Sequence, residues 1–207
     1  MGLISNGSTV FDAGSMSAGF GGSMTFIKKL TASGSGTLSF VDGASGVVLD
    51  DTYKEYLFTF NNIHPSTTGE LNFLFNLSSD SGSNYNVTKT TNVFRAQHGE
   101  DGNNANMEYV ASKDLAQGTG FQALSMDLGY GNDESLSGSL TLFNPSSTTF
   151  VKHFIARTTH YMYSSRAIDF YGAGYGNTTS AVNAIRFQIN SGNIDAGKIK
   201  LYGIKDS

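Results

Sequence analysis

The sequence predicts an all-β protein, folded as an antiparallel two-sheet sandwich of the jelly-roll type. Charged residues make up 14% of the chain and glycine occurs 25 times, so helix formers are scarce and turn formers are plentiful. The 15 Phe and 10 Tyr suit half-buried pleated surfaces. Short apolar runs separated by turn signals favour a sandwich over parallel strands joined by helices.

The predicted strands are the runs in which apolar and polar residues alternate between turns. Tyr56, Phe58 and Phe60 share one parity, as expected for a strand with one buried face. Residues 93–98 and 113–117 hint at a helical turn, and both are too short to matter. The strand candidates are residues 24–30, 37–41, 53–60, 71–77, 84–88, 107–110, 136–143, 150–157, 167–171, 185–189 and 198–204.

The stretch "SGNIDAGKIKLYGIK" near the C-terminus predicts a hairpin. Ile199 and Leu201 alternate with lysines after Gly197, which is the period of a strand and excludes the helix that a phosphate-binding loop needs. A second alternating run ends at Ile189. The turn-rich residues 191–197 are therefore expected to join two paired strands.

Residues 1–22 are glycine-rich and differ from the rest of the chain, which is assigned to one β-sandwich domain over residues 23–207. Leu3, Ile4, Val10 and Phe11 are the apolar anchors of this segment. One interpretation is a flexible terminus. The other is an extended arm that docks on a neighbouring subunit, with these four residues as assembly contacts.

Composition excludes several classes of protein. The chain has no Cys, which excludes disulfides, thiolate metal sites and cysteine nucleophiles. A net charge of −4 without a basic cluster argues against nucleic-acid binding. No run approaches the roughly 20 apolar residues of a membrane helix, and no secretory leader opens the chain. We expect a soluble protein made in a cytoplasm, without membrane insertion.

Candidate metal ligands are His98, Glu100 and Asp101, since an imidazole and two carboxylates lie within four residues on a predicted loop. The spacing is not that of a calcium loop and no second histidine follows at a ligand interval, which favours a solvated loop instead. His153 and His160 lie an odd interval apart and are expected on opposite faces of a strand.

No enzyme motif is found, and neither a catalytic residue nor a cofactor is predicted. "GAGYGN" at residues 172–177 lacks the dinucleotide fingerprint and its following helix. Acid pairs such as Asp133 with Glu134 are more typical of exposed turns than of glycoside cleavage, which depends on a defined separation in space.

The densest polar-aromatic region predicts a candidate ligand site. A tyrosine ring is flat and apolar and carries a hydroxyl, so exposed clusters suit sugar stacking or protein interfaces. Core packing and subunit contact are the competing interpretations. The candidate residues are Tyr161, Tyr163, Arg166, Tyr171 and Tyr175.

Several stretches together carry a family resemblance: "MGLISNGSTVFDAGSM", "YKEYLFTFNNIHPSTTGELNFLF", "SGSNYN", "LFNPSSTTFVKHFIA" and "NTTSAVNAIRFQINSGNIDAGKIKLYGIK". Through them the chain resembles, over nearly its whole length, an uncharacterised family of virion structural proteins from marine tailed bacteriophages. Members are placed only as structural components, fibre-like or decorating. The resemblance implies a particle component rather than an enzyme, and it supplies no catalytic residues.

Three functions follow as alternatives. The first is a surface appendage or fibre-type subunit of the virion, assembled as a homotrimer with other virion proteins and contacting host-surface glycans during host attachment. The second is a head decoration protein that stabilises the capsid lattice through the arm. The third is a glycan-cleaving appendage enzyme, which clustered carboxylates in a groove would favour.

Overall fold

The computed structural model describes residues 3–5, 8–12, 15–16 and 22–206, and in this part of the chain the only regular elements are β-strands, as predicted. Among the described residues, no helix has the length and apolar character needed to cross a membrane. The strands are β1 (Leu3–Ser5), β2 (Ser8–Asp12), β3 (Ser15–Met16), β4 (Met24–Thr31), β5 (Leu38–Val41), β6 (Glu55–Pro65), β7 (Phe73–Ser78), β8 (Lys89–Gly99), β9 (Asn106–Tyr109), β10 (Gln122–Ala123), β11 (Leu136–Phe143), β12 (Lys152–Met162), β13 (Arg166–Gly176), β14 (Ala184–Ile189) and β15 (Ile194–Ile204).

Two antiparallel sheets form the sandwich, and their strand orders are those of a jelly roll. The small sheet has the order β10-β7-β14-β5. The large sheet has the order β4-β15-β6-β11-β12-β13-β8-β9. Along the chain its first four strands alternate with those of the small sheet, except that β7 and β10 both belong to the small sheet, and this order gives the eight-strand, double Greek-key connectivity. The hairpins β8-β9 and β12-β13 extend the large sheet beyond this unit.

The C-terminal hairpin prediction is wrong. β14 pairs with β5 and β7 in the small sheet, whereas β15 pairs with β4 and β6 in the large sheet. The turn-rich residues between them carry the chain from one sheet to the other. Alternation assigns each strand an inner face, but it does not identify the strand's hydrogen-bonding partner.

Two other local predictions also fail. Residues 84–88 do not form a strand, and residues 93–98 lie within β8 rather than in a helical turn. β8 is long because it pairs with β13 along its whole length. This long-range pairing outweighs the weak local preference for helix.

The main core lies between the two sheets and is centred on Phe187. The ring is fully buried and has five phenylalanine rings around it at centroid distances of 5.3 to 6.5 Å. Edge-on and stacked aromatic pairs of this kind add to the hydrophobic stabilisation. The surrounding residues are Phe40, Phe58, Phe60, Phe73 and Phe75.

A second, smaller core lies beneath the extension of the large sheet. Val93, Ile168 and Phe170 point inward from β8 and β13 and pack against Val110 and Ala123 from the connection that precedes β11. This connection, which includes the small-sheet edge strand β10, covers the inner face of the extension. β8, β12 and β13 therefore have a buried inner face and a more exposed outer face, whereas all four residues of the edge strand β9 are exposed.

The predicted arm, residues 1–22, lies partly outside the described residues. Its described portions form three short antiparallel strands, β1-β2-β3, in a sheet of their own. Leu3 pairs with Phe11, the register shifts before the next pair, and Ile4 is 63% exposed. Docking of these residues and of Val10 on a neighbouring subunit remains a prediction.

Candidate functional site

The outer face of the large sheet carries three of the five predicted ligand residues, Tyr161, Tyr171 and Tyr175. Burial alternates strictly along the first part of β12, with Phe154 buried and Ile155 exposed. His153 is exposed and His160 is buried, so their predicted placement on opposite faces is confirmed. Residues of odd number on β12 and β13 therefore face outward.

The five predicted ligand residues do not lie together. Tyr171 and Tyr175 face outward on β13, four residues apart and therefore about 13 Å from each other. Tyr161 lies near the other end of the sheet, toward the end of β12. Tyr163 follows in the turn, and Arg166 begins β13 with inward parity. Closeness along the chain did not produce a single cluster.

Both faces of the Tyr171 ring are already occupied. The ring stacks on Phe94 of β8 with centroids 4.6 Å apart and planes 8° apart, and the Arg157 guanidinium lies 4.9 Å from its centroid. Arg157 also forms a bidentate ion pair with Asp169, at 3.0 and 2.6 Å, which lowers the pKa of that carboxyl. The Tyr171 hydroxyl donates to Asp169 at 2.9 Å. Tyr171 therefore offers no free ring face to a sugar.

The remaining candidate tyrosines differ in their surroundings. Tyr175 packs edge-on to His153 at 6.0 Å. Tyr163 is 43% exposed and lies parallel to Tyr130, with centroids 6.5 Å apart. The Tyr161 ring takes part in no aromatic contact between described residues, and its hydroxyl makes no hydrogen bond among them.

A groove runs along the strand ends that hold Tyr161 and along the turns beside them. Its central cleft, of about 440 Å³, shares Glu100 with a second cleft of about 430 Å³ and Ser135 with a third of about 530 Å³. We call the three joined clefts the strand-end groove. Its lining residues are Asn62, His64, His98, Gly99, Glu100, Asp101, Asn104, Asn132, Asp133, Glu134, Ser135, Ser137, Thr159, His160, Tyr161, Ser164, Ser165, Arg166, Ala167, Asp195 and Ala196.

Bulges in three neighbouring strands shape this groove. The register between β6 and β11 shifts beside Asn62, which has a φ of 50° and whose N–H donates to Ser137 Oγ at 3.1 Å. Gly138 and Gly197 have φ of 154° and 118°. A Cβ on Gly197 would lie 2.6 Å from the Asn62 carbonyl oxygen. Asparagine and glycine adopt positive φ more readily than other residues. Bulges of this kind change the direction of side chains next to binding sites.

Two carboxylates of the groove, Glu134 and Asp101, accept local hydrogen bonds, and a third lies near an imidazole. Glu134 accepts from the Gly131 N–H at 2.6 Å, and Asp195 lies 3.7 Å from His64 Nδ1. Asp101 accepts from the backbone and side chain of Asn103, which lowers the pKa of the Asp101 carboxyl. The groove therefore combines fixed acceptors with hydroxyl, amide and imidazole groups.

The candidate metal ligands His98, Glu100 and Asp101 do not form a metal site. All three are exposed, and no group of three or more His, Asp or Glu side chains arranged to hold a metal occurs among the described residues. Asp101 is directed into its own turn by Asn103. Glu100 and Asp101 lie in the turn that follows β8, whereas His98 belongs to β8 itself, so the loop predicted for all three residues is wrong for His98.

Asp127 has the raised pKa expected of a general acid, but its side chain does not line the groove. Burial raises the pKa of this carboxyl. His160 is 4% exposed, its Nε2 donates to the Met126 carbonyl oxygen at 2.7 Å, and burial lowers its pKa to about 4. His160 Nδ1 has no partner among the described residues. The carboxyl groups that do line the groove are those of Glu100, Asp101, Asp133, Glu134 and Asp195.

A second feature of the outer face is an apolar patch. Phe26, Tyr202, Leu57, Thr141 and Ile155 stand side by side in one row across five strands. Phe26 is 55% exposed and Ile155 57% exposed. We define the apolar patch as Met24, Phe26, Leu57, Phe143, Ile155, Tyr202 and Ile204.

Sequence reasoning missed most of the groove and the patch, because both are assembled from distant segments. Asn62, Ser137 and Thr159 lie on three different strands. The one available signal was the asparagine pair 61–62 inside the alternating run of β6, where both residues are exposed and interrupt the pattern. Such an interruption is typical of a bulge.

No protein-family model matches the chain, and no curated protein is significantly similar to it. The function proposed below therefore rests on the fold, its surfaces and the sequence resemblance described above.

Proposed function

We propose that the chain is a non-enzymatic structural subunit on the surface of a bacteriophage particle. The observation that carries the proposal is the jelly-roll connectivity of the two sheets, combined with a large sheet whose outer face has no covering layer among the described residues. Jelly rolls recur in viral capsid subunits and in lectin-like domains. A fold alone does not define a function, so the resemblance to phage structural proteins supplies the second support.

We place the subunit on an appendage or fibre, where its loops face the surroundings. The strand-end groove and the Tyr130–Tyr163 pair present polar and aromatic groups at one end of the sheet. Rigid strands hold the groove, which suits recognition of a partner on a host surface.

We infer self-association from the apolar patch. Five strands at about 4.8 Å spacing and two rows about 7 Å apart give a patch of roughly 300 Å², the size of apolar patches that often serve binding on monomers. Glu55 lies inside the patch, and Lys29 and Lys200 lie in the next row. Opposite charges on one face allow a second copy to match it. A homotrimer is the assembly that we propose.

A head decoration protein is the second candidate. The separate three-stranded sheet near the N-terminus favours this candidate, because a capsid lattice could bind it without contacting the sandwich. Virion localisation is common to both candidates, with synthesis in the host cytoplasm.

Cryo-electron microscopy of purified particles, with the subunit built into density, tests the proposal. Density on a tail or projecting fibre is expected. Density over the capsid lattice would replace the appendage with the decoration protein. A particle that contains no copy of the chain would overturn both.

A further inference from the structure

The strand-end groove has the length and chemistry of a binding site. Its three clefts share lining residues and extend from β15 across β6, β11, β12 and β13 to β8. Five strand spacings of about 4.8 Å make it about 24 Å long. This is far longer than a single small ligand requires, and it suits an extended chain molecule.

We propose that the strand-end groove binds a neutral oligosaccharide. The inference rests on the proposed function, because it names the kind of partner that a surface-exposed particle subunit would contact. Its test uses the isolated chain. Failure of the binding test therefore leaves the particle location open, and a different location leaves the binding result intact.

The lining groups match a polyhydroxylated ligand. Hydroxyls of Ser135, Ser137 and Thr159 both donate and accept hydrogen bonds, and the Asn62 and Asn132 amides do the same. The clefts are open rather than enclosed by apolar side chains, unlike typical sites for small apolar ligands. Sugar hydroxyls have the same dual character, so each finds a partner along the groove.

Tyr161 supplies a stacking surface at the centre of the groove. The ring is half-buried, lines the central cleft and makes no aromatic contact among the described residues. An apolar ring with a free hydroxyl is suited to the flat face of a pyranose. Tyr171 lacks this capacity because Phe94 and Arg157 cover its ring.

The charges of the groove select against anionic ligands. Glu100, Asp133 and Asp195 line it along its whole length, whereas Arg166 lies at one end only. A sulfated or phosphorylated chain would meet like charges that are not neutralised by fixed cations. The ligand class is therefore neutral saccharide.

The test titrates the isotopically labelled chain with cellotetraose, maltotetraose, mannotetraose and chitotetraose, and with a heparin-derived tetrasaccharide as the anionic comparator. Backbone amide shifts are followed by NMR. At least one neutral tetrasaccharide is expected to shift amides of Ser135, Thr159 and Tyr161. Binding of none of the neutral compounds, or tighter binding of the anionic one, would overturn the proposal.

Matched variants locate the site. Ala167 is exposed, faces outward and pairs with Tyr161, so Ala167→Trp fills the central cleft. Ala173 faces outward on the same strand beyond the groove, and Ala173→Trp is the control. Ala167→Trp and Tyr161→Ala are expected to weaken binding at least about tenfold. Ala173→Trp and Tyr161→Phe are expected to retain it. Equal loss in Ala167→Trp and Ala173→Trp, with both folded by near-UV circular dichroism, contradicts the assignment.

Discussion

Lys89 and Lys152 occupy the inner face of the large sheet on either side of Gly176, and both side chains are fully buried. Lys89 Nζ donates to Asn76 Oδ1 at 2.5 Å and to the Val87 carbonyl oxygen at 2.7 Å. Lys152 Nζ donates to the carbonyl oxygens of Ser147 and Phe150 at 2.6 and 2.7 Å. Neither ammonium group has a carboxylate partner within ion-pair distance among the described residues.

The burial of Lys89 makes the free energy of unfolding change with pH in the alkaline range. Desolvation lowers the pKa of Lys89 to about 8, whereas an unfolded lysine titrates near about 10.4. Above pH 8 the unfolded chain therefore binds more protons than the folded chain, and stability rises with pH. Between about pH 8 and about pH 9.5 the free energy of unfolding is expected to rise by about 1.5 kcal/mol, measured by urea denaturation.

Lys89→Met is expected to remove that contribution and flatten the slope. Part of the slope is expected to remain in Lys89→Met, because burial lowers the pKa of Lys152 as well. Lys29→Met, on the exposed side of β4, is the matched control and should retain the full slope. An unchanged slope in Lys89→Met would show that Lys89 titrates normally in the folded protein.

A second pH dependence comes from His160. Its pKa of about 4 in the folded protein lies below the value near about 6.5 of an unfolded histidine, because burial penalises the imidazolium. The unfolded chain takes up a proton first as pH falls. Unfolding free energy is expected to fall by about 2 kcal/mol between about pH 7 and about pH 4.5.

The opposite faces of β12 provide the control for this experiment. His160→Gln should flatten the acid slope, whereas His153→Gln, on the exposed face, should retain it. Loss of the slope in both variants, or in neither, would contradict the assignment to His160. Thermal unfolding followed by circular dichroism across the same pH range gives an independent measurement.

The alternating pattern predicted strand faces well and strand partners poorly. Tyr56, Phe58 and Phe60 share one parity and are all buried, as expected. β14 and β15, by contrast, were predicted as one hairpin and belong to different sheets. The parity of a residue is a local property, whereas the choice of partner depends on how the whole chain closes around one core.

The candidate site shows the same limit: residue type can be read from the sequence, but the contacts of a side chain cannot. Tyr161 was identified from its residue type, and it does line the groove. Tyr171 was identified in the same way, yet its ring is covered by Phe94 from β8 and Arg157 from β12. Those contacts depend on pairing between strands far apart in sequence. Lys89 and Lys152 were missed because lysines inside a core contradict the usual pattern of burial.

Gly138 lies at the β11 bulge that helps to shape the groove, and its replacement gives a test of that bulge. A Cβ on Gly138 would overlap the Arg157 carbonyl oxygen and lie 2.6 Å from Thr158 Cα, and its φ of 154° is unfavourable for other residues. Gly138→Ala is expected to cost at least about 2 kcal/mol in unfolding free energy. Gly120→Ala is the control, since nothing lies within 4 Å of its Cβ position. Equal stability of the two variants in urea would show that β11 relaxes freely at this position.

The apolar patch predicts self-association that single charges disrupt. Ile155 and Phe26 project from the same row on strands at opposite sides of the patch, so Ile155→Glu or Phe26→Glu would place a carboxylate in any interface formed there. Burying an unpaired charge is costly, and the charged variants are expected to dissociate to monomers at micromolar concentration. Sedimentation equilibrium gives the mass independently of molecular shape, and a trimer is expected for the unmodified chain. Met107→Glu is the matched control, because Met107 is 72% exposed on β9, at the far edge of the same sheet. If the unmodified chain is a monomer, or if Met107→Glu dissociates it as fully as Ile155→Glu does, the patch is not the contact surface between copies.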